Sequence, residues 1–181
     1  MARLQTCLFS ALSIAAAIGL APVPARAAEP TPAACATMDA HLPAALTAWP
    51  RRTAVAAAAN AAGIPQAPLA VGKPVGAQLR PAAEMTYLVA PERPGEPGTF
   101  GGMLDLTVLA SGDYQVALGT DAWLDLVRDG ALVASTAHAH GPDCSTIRKI
   151  VVFPLKPGHS VLEITGSGSP VVAVMVTRVA R

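Results

Sequence analysis

Apolar and polar residues alternate along most of residues 100–179, and Gly, Pro and Asp interrupt the alternation at short intervals. The pattern is clearest over residues 112–128, after which an Asp129-Gly130 dipeptide precedes a further apolar run. Alternation with a period of two is typical of half-buried antiparallel strands, and Asp-Gly favours a tight hairpin. Regular turn spacing favours a sandwich or barrel. The sequence therefore predicts an all-β protein, an antiparallel and jelly-roll-like β-sandwich over residues 67–181.

The predicted strands show either this alternation or a continuous apolar run. They cover residues 69–71 with 75–79, 85–89, 102–109, 114–118, 123–128, 132–135, 147–155, 160–165 and 171–179. The last strand is apolar at nearly every position, so we expect it to be central and covered on both faces. Residues 91–98 are rich in Pro and Gly and predict an irregular, exposed loop.

Residues 29–66 are predicted to form an Ala/Pro-rich N-terminal appendage, helical or irregular. Within residues 35–49, large apolar side chains recur at a helical spacing, which favours a short helix. These side chains are Met38, Leu42, Leu46 and Trp49. Residues 53–62 are rich in Ala and favour a helix by intrinsic propensity.

Residues 1–28 have the features of a secretory signal peptide. Arg3 gives the positive start, the apolar run over 7–20 is too short for a membrane span, and small residues occupy 25–27. We therefore predict a periplasmic or secreted protein without a membrane span after cleavage. The leader holds two of the 13 Lys and Arg residues and none of the 12 acids. The remaining charge is close to zero, which predicts no nucleic-acid partner.

Two cysteines, Cys35 and Cys144, follow the leader. In an oxidising compartment such a pair most simply forms one disulfide, for which the loop-entropy model gives about 4–5 kcal/mol. Two free thiols and half of a metal site are the alternatives. Neither cysteine belongs to a C-x-x-C pair, which disfavours the metal site.

A cluster of polar groups over residues 135–145 contains the candidate metal ligands. His138 and His140 are two residues apart, so on an extended segment their side chains point the same way and can share a metal ion. Asp143 and His159 are the candidate further ligands. The alternative is a polar hairpin loop whose histidines face water, and the frequency of chance H-x-H pairs favours it.

Trp123 and Asp125 are the candidate ligand-binding residues, because they share one face of a predicted strand, and Tyr114 is a candidate neighbour. An exposed Trp beside a carboxylate suits sugar stacking and hydroxyl hydrogen bonding. The alternative, which we favour at this point, is that Trp123 fills the core.

Residues 112–118, 123–130 and 155–164 resemble the pre-peptidase C-terminal domains of secreted bacterial enzymes. The shared features are a G-x-Y-x-V strand, a strand that carries Asp and ends at an Asp-Gly turn, and a Pro-Gly lead into an apolar strand. The resemblance implies a β-sandwich module that binds or solubilises and does not catalyse.

Residues 122–130, 138–144, 147–149 and 153–155 resemble a group of small exported bacterial proteins of unestablished role. Some of these carry the name homogentisate 1,2-dioxygenase. That name implies a non-haem Fe²⁺ site that opens an aromatic ring, which here would use His138, His140 and His159. The cupin pattern of that enzyme has Glu shortly after H-x-H, whereas Asp143 is the acid in this chain.

The leading hypothesis from the sequence is an exported, non-catalytic β-sandwich of the cell envelope, without a cofactor, that binds an unknown ligand or envelope protein. Envelope glycan is one candidate ligand. The alternative is a metal-dependent dioxygenase centred on the three histidines, with Fe²⁺ as its cofactor. A purely structural role is the third hypothesis.

Overall fold

A computed structural model describes residues 35–180, so the predicted leader and the start of the predicted appendage lie outside the described residues. The described residues form eleven strands and three short 3₁₀ helices. The strands are β1 (Thr53–Ala56), β2 (Val75–Gln78), β3 (Arg80–Pro81), β4 (Phe100–Val108), β5 (Gly112–Leu118), β6 (Trp123–Arg128), β7 (Ala131–Leu132), β8 (Ala137–His140), β9 (Lys149–Leu155), β10 (Gly158–Ser167) and β11 (Val171–Arg178). The 3₁₀ helices are Ala44–Leu46, Ala61–Gln66 and Ala82–Glu84.

Two sheets make up the sandwich. Sheet A has the order β1-β2-β11-β5-β9-β8, and sheet B has the order β3-β4-β10-β6-β7. All neighbours are antiparallel except β1 and β2. The predicted all-β sandwich is confirmed. None of the helices among residues 35–180 is long and apolar enough to cross a bilayer.

The core lies between the inner faces of the two sheets. Alternate residues of each long strand supply it, such as Leu162 and Ile164 of β10 and Val174 and Val176 of β11, all fully buried. The other residues of the same strands point away from the core, as the period of two requires. The hairpin turn at Asp129-Gly130 has φ of 52° and 76°, the conformation that Asp-Gly favours.

Strand β11 lies inside sheet A, between β2 and β5, and both of its faces are covered, as predicted. On its outer face, Met175 is 1% exposed. Leu46 and Trp49 of the N-terminal segment cover that face, and Ala117 and Ile147 complete the apolar cluster. This second, smaller core explains why the strand is apolar at almost every position.

The N-terminal segment differs from the predicted helices. In residues 35–49, helix is limited to the single 3₁₀ turn Ala44–Leu46. Thr53–Ala56, predicted as helix, is instead strand β1 and pairs in parallel with β2. Backbone pairing at the free edge of sheet A outweighs the weak helix preference of alanine in this short stretch. Residues from Cys35 onward form one compact unit with the sandwich.

The predicted disulfide is confirmed, because Cys35 and Cys144 are bonded across a sequence separation of 109. The contact is reinforced by Asp39, whose carboxylate accepts hydrogen bonds from the backbone N–H and hydroxyl of Thr146, each at 2.7 Å. The disulfide and Asp39 together attach the start of the described chain to the loop before β9.

Candidate functional site

The outer face of sheet B carries polar side chains that are nevertheless buried. Asp125 of β6 is 5% exposed, whereas Glu163 and Thr165 of β10 are 0% and 1% exposed. Asp125 and Glu163 are directly paired across the two strands, so their side chains lie on the same face. They are buried because residues 85–94, here called the cover segment, lie across them.

Hydrogen bonds hold the cover segment in place. The backbone N–H groups of Leu88 and Glu92 donate to Glu163 Oε1 at 2.8 Å and Asp125 Oδ2 at 3.0 Å. The Thr165 hydroxyl donates to the carbonyl of Arg93 at 2.6 Å. Residues 85–89 were predicted as a strand, which is wrong, because they pair with no neighbouring strand. The backbone N–H of Thr86 donates to the carbonyl of Ala59, and that of Leu88 donates to a side chain.

Burial governs the protonation of this layer. Burial raises the pKa of Glu163 and the nearby Asp125 charge adds to the effect, while the N–H groups of Leu88 and Val89 oppose it. Glu163 Oε2 has no hydrogen-bond partner. Burial, with a smaller contribution from Glu163, raises the pKa of Tyr87 to about 12. Its hydroxyl therefore stays protonated and donates to the Ile164 carbonyl at 2.9 Å.

A cleft of about 240 Å³ opens at the edge of the sandwich where β6 and β7 of sheet B face β8 and β9 of sheet A. We call it the edge cleft. Its polar lining consists of Glu92, Trp123, Asp125, Ser135, His138 and Lys149. Apolar side chains of both sheets complete it, including Leu132 and Phe153.

Trp123 lines the edge cleft and is only half-buried, so it does not fill the core. Its indole N–H donates to Asp125 Oδ1 at 2.8 Å, which fixes the plane of the ring. The Arg93 guanidinium lies 4.3 Å from the ring centroid, and Lys149 Nζ lies 5.4 Å from it. These are cation–π distances. Two cations therefore lie beside one fixed aromatic ring.

The Lys149 ammonium is the more unusual of the two cations. Burial lowers its pKa, and Arg93 adds to this effect, while Asp121 opposes it. No carboxylate among residues 35–180 forms a salt bridge with Lys149. The nearby Asp121 carboxylate is paired with Arg148 at 3.2 Å. A half-buried ammonium without a paired anion favours an anionic partner.

The four predicted metal ligands do not come together. His138 and His140 are exposed on the edge strand β8, where His138 Nε2 lies 3.0 Å from Ser135 Oγ, and Asp143 is exposed in the following loop. His159 lies on β10 in the other sheet and lines a different cleft. Across residues 35–180, no three His, Cys, Asp or Glu side chains are arranged to hold a metal ion. These residues therefore do not fit the iron site that the dioxygenase name implies.

The sequence-based ligand set is brought together only in part. Trp123 and Asp125 share the edge cleft, but Tyr114 lies on β5 of sheet A with its side chain in the core. Its hydroxyl donates to the carbonyl of Ala110 at 2.8 Å. Tyr114 does not line the cleft, because β5 lies inside sheet A, away from its β8 edge, and the side chain is buried between the two sheets.

Several site residues have no signal in the local sequence. Nothing in the sequence around Lys149 marks it as a site residue, and Glu92 and Arg93 fall in a Pro-rich stretch that shows only an irregular loop. Glu163 is the exception, because a carboxylate inside the alternating run over 160–165 marks the face opposite the core. That the cover segment lies across Glu163 still follows only from the tertiary structure.

No family model matches the chain, and no curated protein matches it at a significant level.

Proposed function

We propose that this protein is an exported, non-catalytic β-sandwich that binds an acidic saccharide in the edge cleft. Export rests on the predicted leader, and the disulfide between Cys35 and Cys144 is compatible with an oxidising compartment. The cell envelope, where acidic glycans are common, is the setting that this proposal implies.

The observation that carries the proposal is the orientation of Trp123 in a cleft lined by polar side chains. Asp125 fixes the ring, and Glu92, Ser135 and His138 surround it with hydrogen-bonding groups. A fixed aromatic face stacks against the apolar C–H face of a sugar, while polar neighbours bind its hydroxyl groups. This combination supports saccharide binding over a purely apolar ligand.

The charges beside the ring favour an acidic sugar. Each oxygen of Asp125 already accepts one hydrogen bond, from the indole of Trp123 or from the backbone N–H of Glu92, so the role we assign to this carboxylate is to position the ring. Lys149 has no paired carboxylate among the described residues and Arg93 lies next to it. A sugar carboxylate would satisfy that ammonium by a charge-assisted hydrogen bond.

Within residues 35–180, the buried carboxylates beside the cleft are poorly placed for glycoside cleavage. Hydrolysis requires two carboxyl groups that reach the scissile bond from either side. Asp125 and Glu163 are instead neighbours on one face of sheet B, and both accept hydrogen bonds from the cover segment that lies across them. Their role in this proposal is therefore to build the cleft.

Calorimetric titration with trigalacturonic acid tests the proposal, with the neutral maltotriose as the matched ligand. We expect saturable binding of the acidic trimer that weakens as salt is raised. Trp123→Ala should weaken binding about tenfold through lost stacking, and Lys149→Met by about tenfold or more through the lost charged bond. Lys156→Met, at an exposed turn, is the control and should bind as the parent does.

Three outcomes would count against the proposal. Equal binding of both trimers would contradict the acidic ligand class, and binding that survives Trp123→Ala would contradict the site. Absence of binding to acidic saccharides of several compositions would contradict the function itself.

A further inference from the structure

A second and larger cleft lies on the outer face of sheet B. It has a volume of about 660 Å³ and shares no lining residue with the edge cleft. Its floor is formed by Val127, His159 and Val161, and its walls by the 3₁₀ helix Ala61–Gln66 and by Leu88 of the cover segment. We call it the cover cleft. Its volume falls in the range of small-molecule sites.

The walls of the cover cleft are mainly apolar. Ile64, Pro65 and Leu88 face Val127 and Val161. Leu88 is 42% exposed, one of few large apolar side chains among the described residues with that exposure. An apolar surface that is both exposed and concave favours an apolar ligand body.

One polar group is available inside this cleft. His159 Nε2 lies 2.6 Å from Asp105 Oδ1, within ion-pair distance, although the geometry is not that of a directional hydrogen bond and Oδ1 lacks such a partner. In the tautomer that carries its proton on Nε2, the nitrogen facing the Asp105 carboxylate, Nδ1 is a hydrogen-bond acceptor.

The charged residues at the rim do not favour an anion. The Arg128 guanidinium donates to the carbonyls of Lys156 and Pro157, which ties it to the turn before β10. It also lies 3.7 Å from the exposed carboxylate of Asp129. Asp129 and Asp105 are thus the acidic groups near the opening, and Arg128 is already engaged. The chemistry of the cleft matches a neutral ligand with one hydrogen-bond donor.

We propose that the cover cleft binds a small, neutral, apolar molecule that carries a hydroxyl group, and that this hydroxyl donates to Nδ1 of His159. The apolar body lies between Leu88 and Val161. The Asp105 carboxylate lies beside the opposite ring nitrogen, Nε2, at 2.6 Å. This site is independent of the saccharide site and of its proposed function.

Two probes of nearly equal shape test this proposal on the unaltered protein. 2-Naphthol carries the hydroxyl donor, and 2-methoxynaphthalene carries the same rings without it. In equilibrium dialysis we expect 2-naphthol to bind about three- to tenfold more tightly, the gain from one hydrogen bond. Equal affinity for the two probes, or no binding of either, would overturn the proposal.

Variants locate the site. His159→Phe keeps an apolar ring but removes the acceptor, so it should abolish the preference for 2-naphthol. His140→Phe, at an exposed histidine outside both clefts, is its matched control and should retain the preference. Ala61→Trp fills the cleft and should weaken the binding of both probes. Leu109→Trp, at a position that is 89% exposed, should leave their binding unchanged. A preference that survives His159→Phe would contradict the role of that ring.

Discussion

The two sheets are covered on their outer faces in opposite ways. On sheet A, Leu46 and Trp49 pack against Ala117, Ile147 and Met175 in a small apolar core. On sheet B, the cover segment is held by hydrogen bonds to buried carboxylates. The first cover is an extension of the hydrophobic core, while the second is a polar layer. Both candidate binding clefts border the polar layer.

The difference separates stability from function. An apolar cover gains free energy from area removed from water and closes the surface completely. Buried carboxylates contribute little net stability, because their hydrogen bonds mainly offset the cost of their burial. They instead fix the positions of specific groups, here the ring of Trp123 and the backbone of Leu88. We therefore expect changes at sheet A to cost more free energy, and changes at sheet B to alter binding more.

The largest effect is expected from loss of the disulfide, which secures the cover of sheet A. Replacing Cys35 and Cys144 with Ser should lower the free energy of unfolding by about 4–5 kcal/mol in the loop-entropy model. Chemical denaturation of the double variant measures this, and reduction of the parent protein is an independent control. A loss under about 1 kcal/mol would mean that other contacts already restrain the segment.

Trp49→Ala should have the next largest effect and lower the free energy of unfolding by about 3–5 kcal/mol. It removes the largest side chain of the apolar cover and leaves the Thr146 hydroxyl without its indole donor. Thermal unfolding measures the change, and Thr47→Ala on the exposed side of the same segment is the control. An effect no greater than that of the control would contradict the claim that the apolar cover of sheet A stabilises the protein more than the polar cover of sheet B.

At sheet B, Asp125→Ala should lower the free energy of unfolding by less than the changes at sheet A do, about 1–3 kcal/mol. It leaves the Trp123 indole and the Glu92 backbone N–H without an acceptor. Denaturation gives the cost. Faster hydrogen exchange of the Glu92 amide should report a loosened cover segment. Asp121→Ala is the matched control, because its partner Arg148 is exposed and such pairs contribute little. Equal effects of the two changes would contradict the structural role of Asp125.

Glu163→Gln should change the free energy of unfolding least, and it should raise it where the other substitutions lower it. Burial raises the pKa of Glu163 above its ordinary 4.5, so the folded protein binds this proton more tightly than the unfolded chain does. The contribution of Glu163 to stability is therefore largest below pH 4.5 and falls as the pH rises through the raised pKa. The glutamine keeps an acceptor for the Leu88 N–H without the buried charge.

We expect Glu163→Gln to stabilise the protein at neutral pH and to remove the part of the pH dependence that Glu163 causes. Unfolding curves of the parent and the variant measured from pH 4 to pH 8 test this. Nearby Asp125 and Tyr87 remain in both proteins, so the difference between the two curves isolates Glu163. A variant less stable than the parent at neutral pH would contradict the assigned direction.

The strands after Phe100 were largely predictable, because alternation and turn chemistry are local. Asp129-Gly130 marks its hairpin, and the apolar run from Val171 marks a strand covered on both sides. The pairing of Cys35 with Cys144 followed from their number. Strands β1 and β8 were missed for different reasons. Strand β1 lies in a stretch that is mostly alanine and favours a helix. Strand β8 alternates Ala with His, but it is only four residues long, exposed at every residue, and lies in a polar cluster.

The candidate sites were predictable only in part, since they depend on contacts between distant segments. Trp123 and Asp125 share a strand, and their proximity follows from a spacing of two. His138 and His159 share chemistry but belong to different sheets, which no spacing reveals. The approach of Lys149 to Trp123 and of Asp105 to His159 requires the sheet order. Side-chain type therefore indicated the candidate groups, whereas the order of the strands in the sheets determines which of these groups lie close together.

The most direct measurement of the central claim is an NMR titration of protein labelled with ¹⁵N-tryptophan. The chain has two tryptophans, and their indole N–H groups donate to different acceptors, Thr146 for Trp49 and Asp125 for Trp123, each at 2.8 Å. Addition of trigalacturonic acid should move the Trp123 resonance to saturation and leave that of Trp49 unchanged. A Trp123 resonance that stays in place, or equal movement of both, would contradict saccharide binding in the edge cleft.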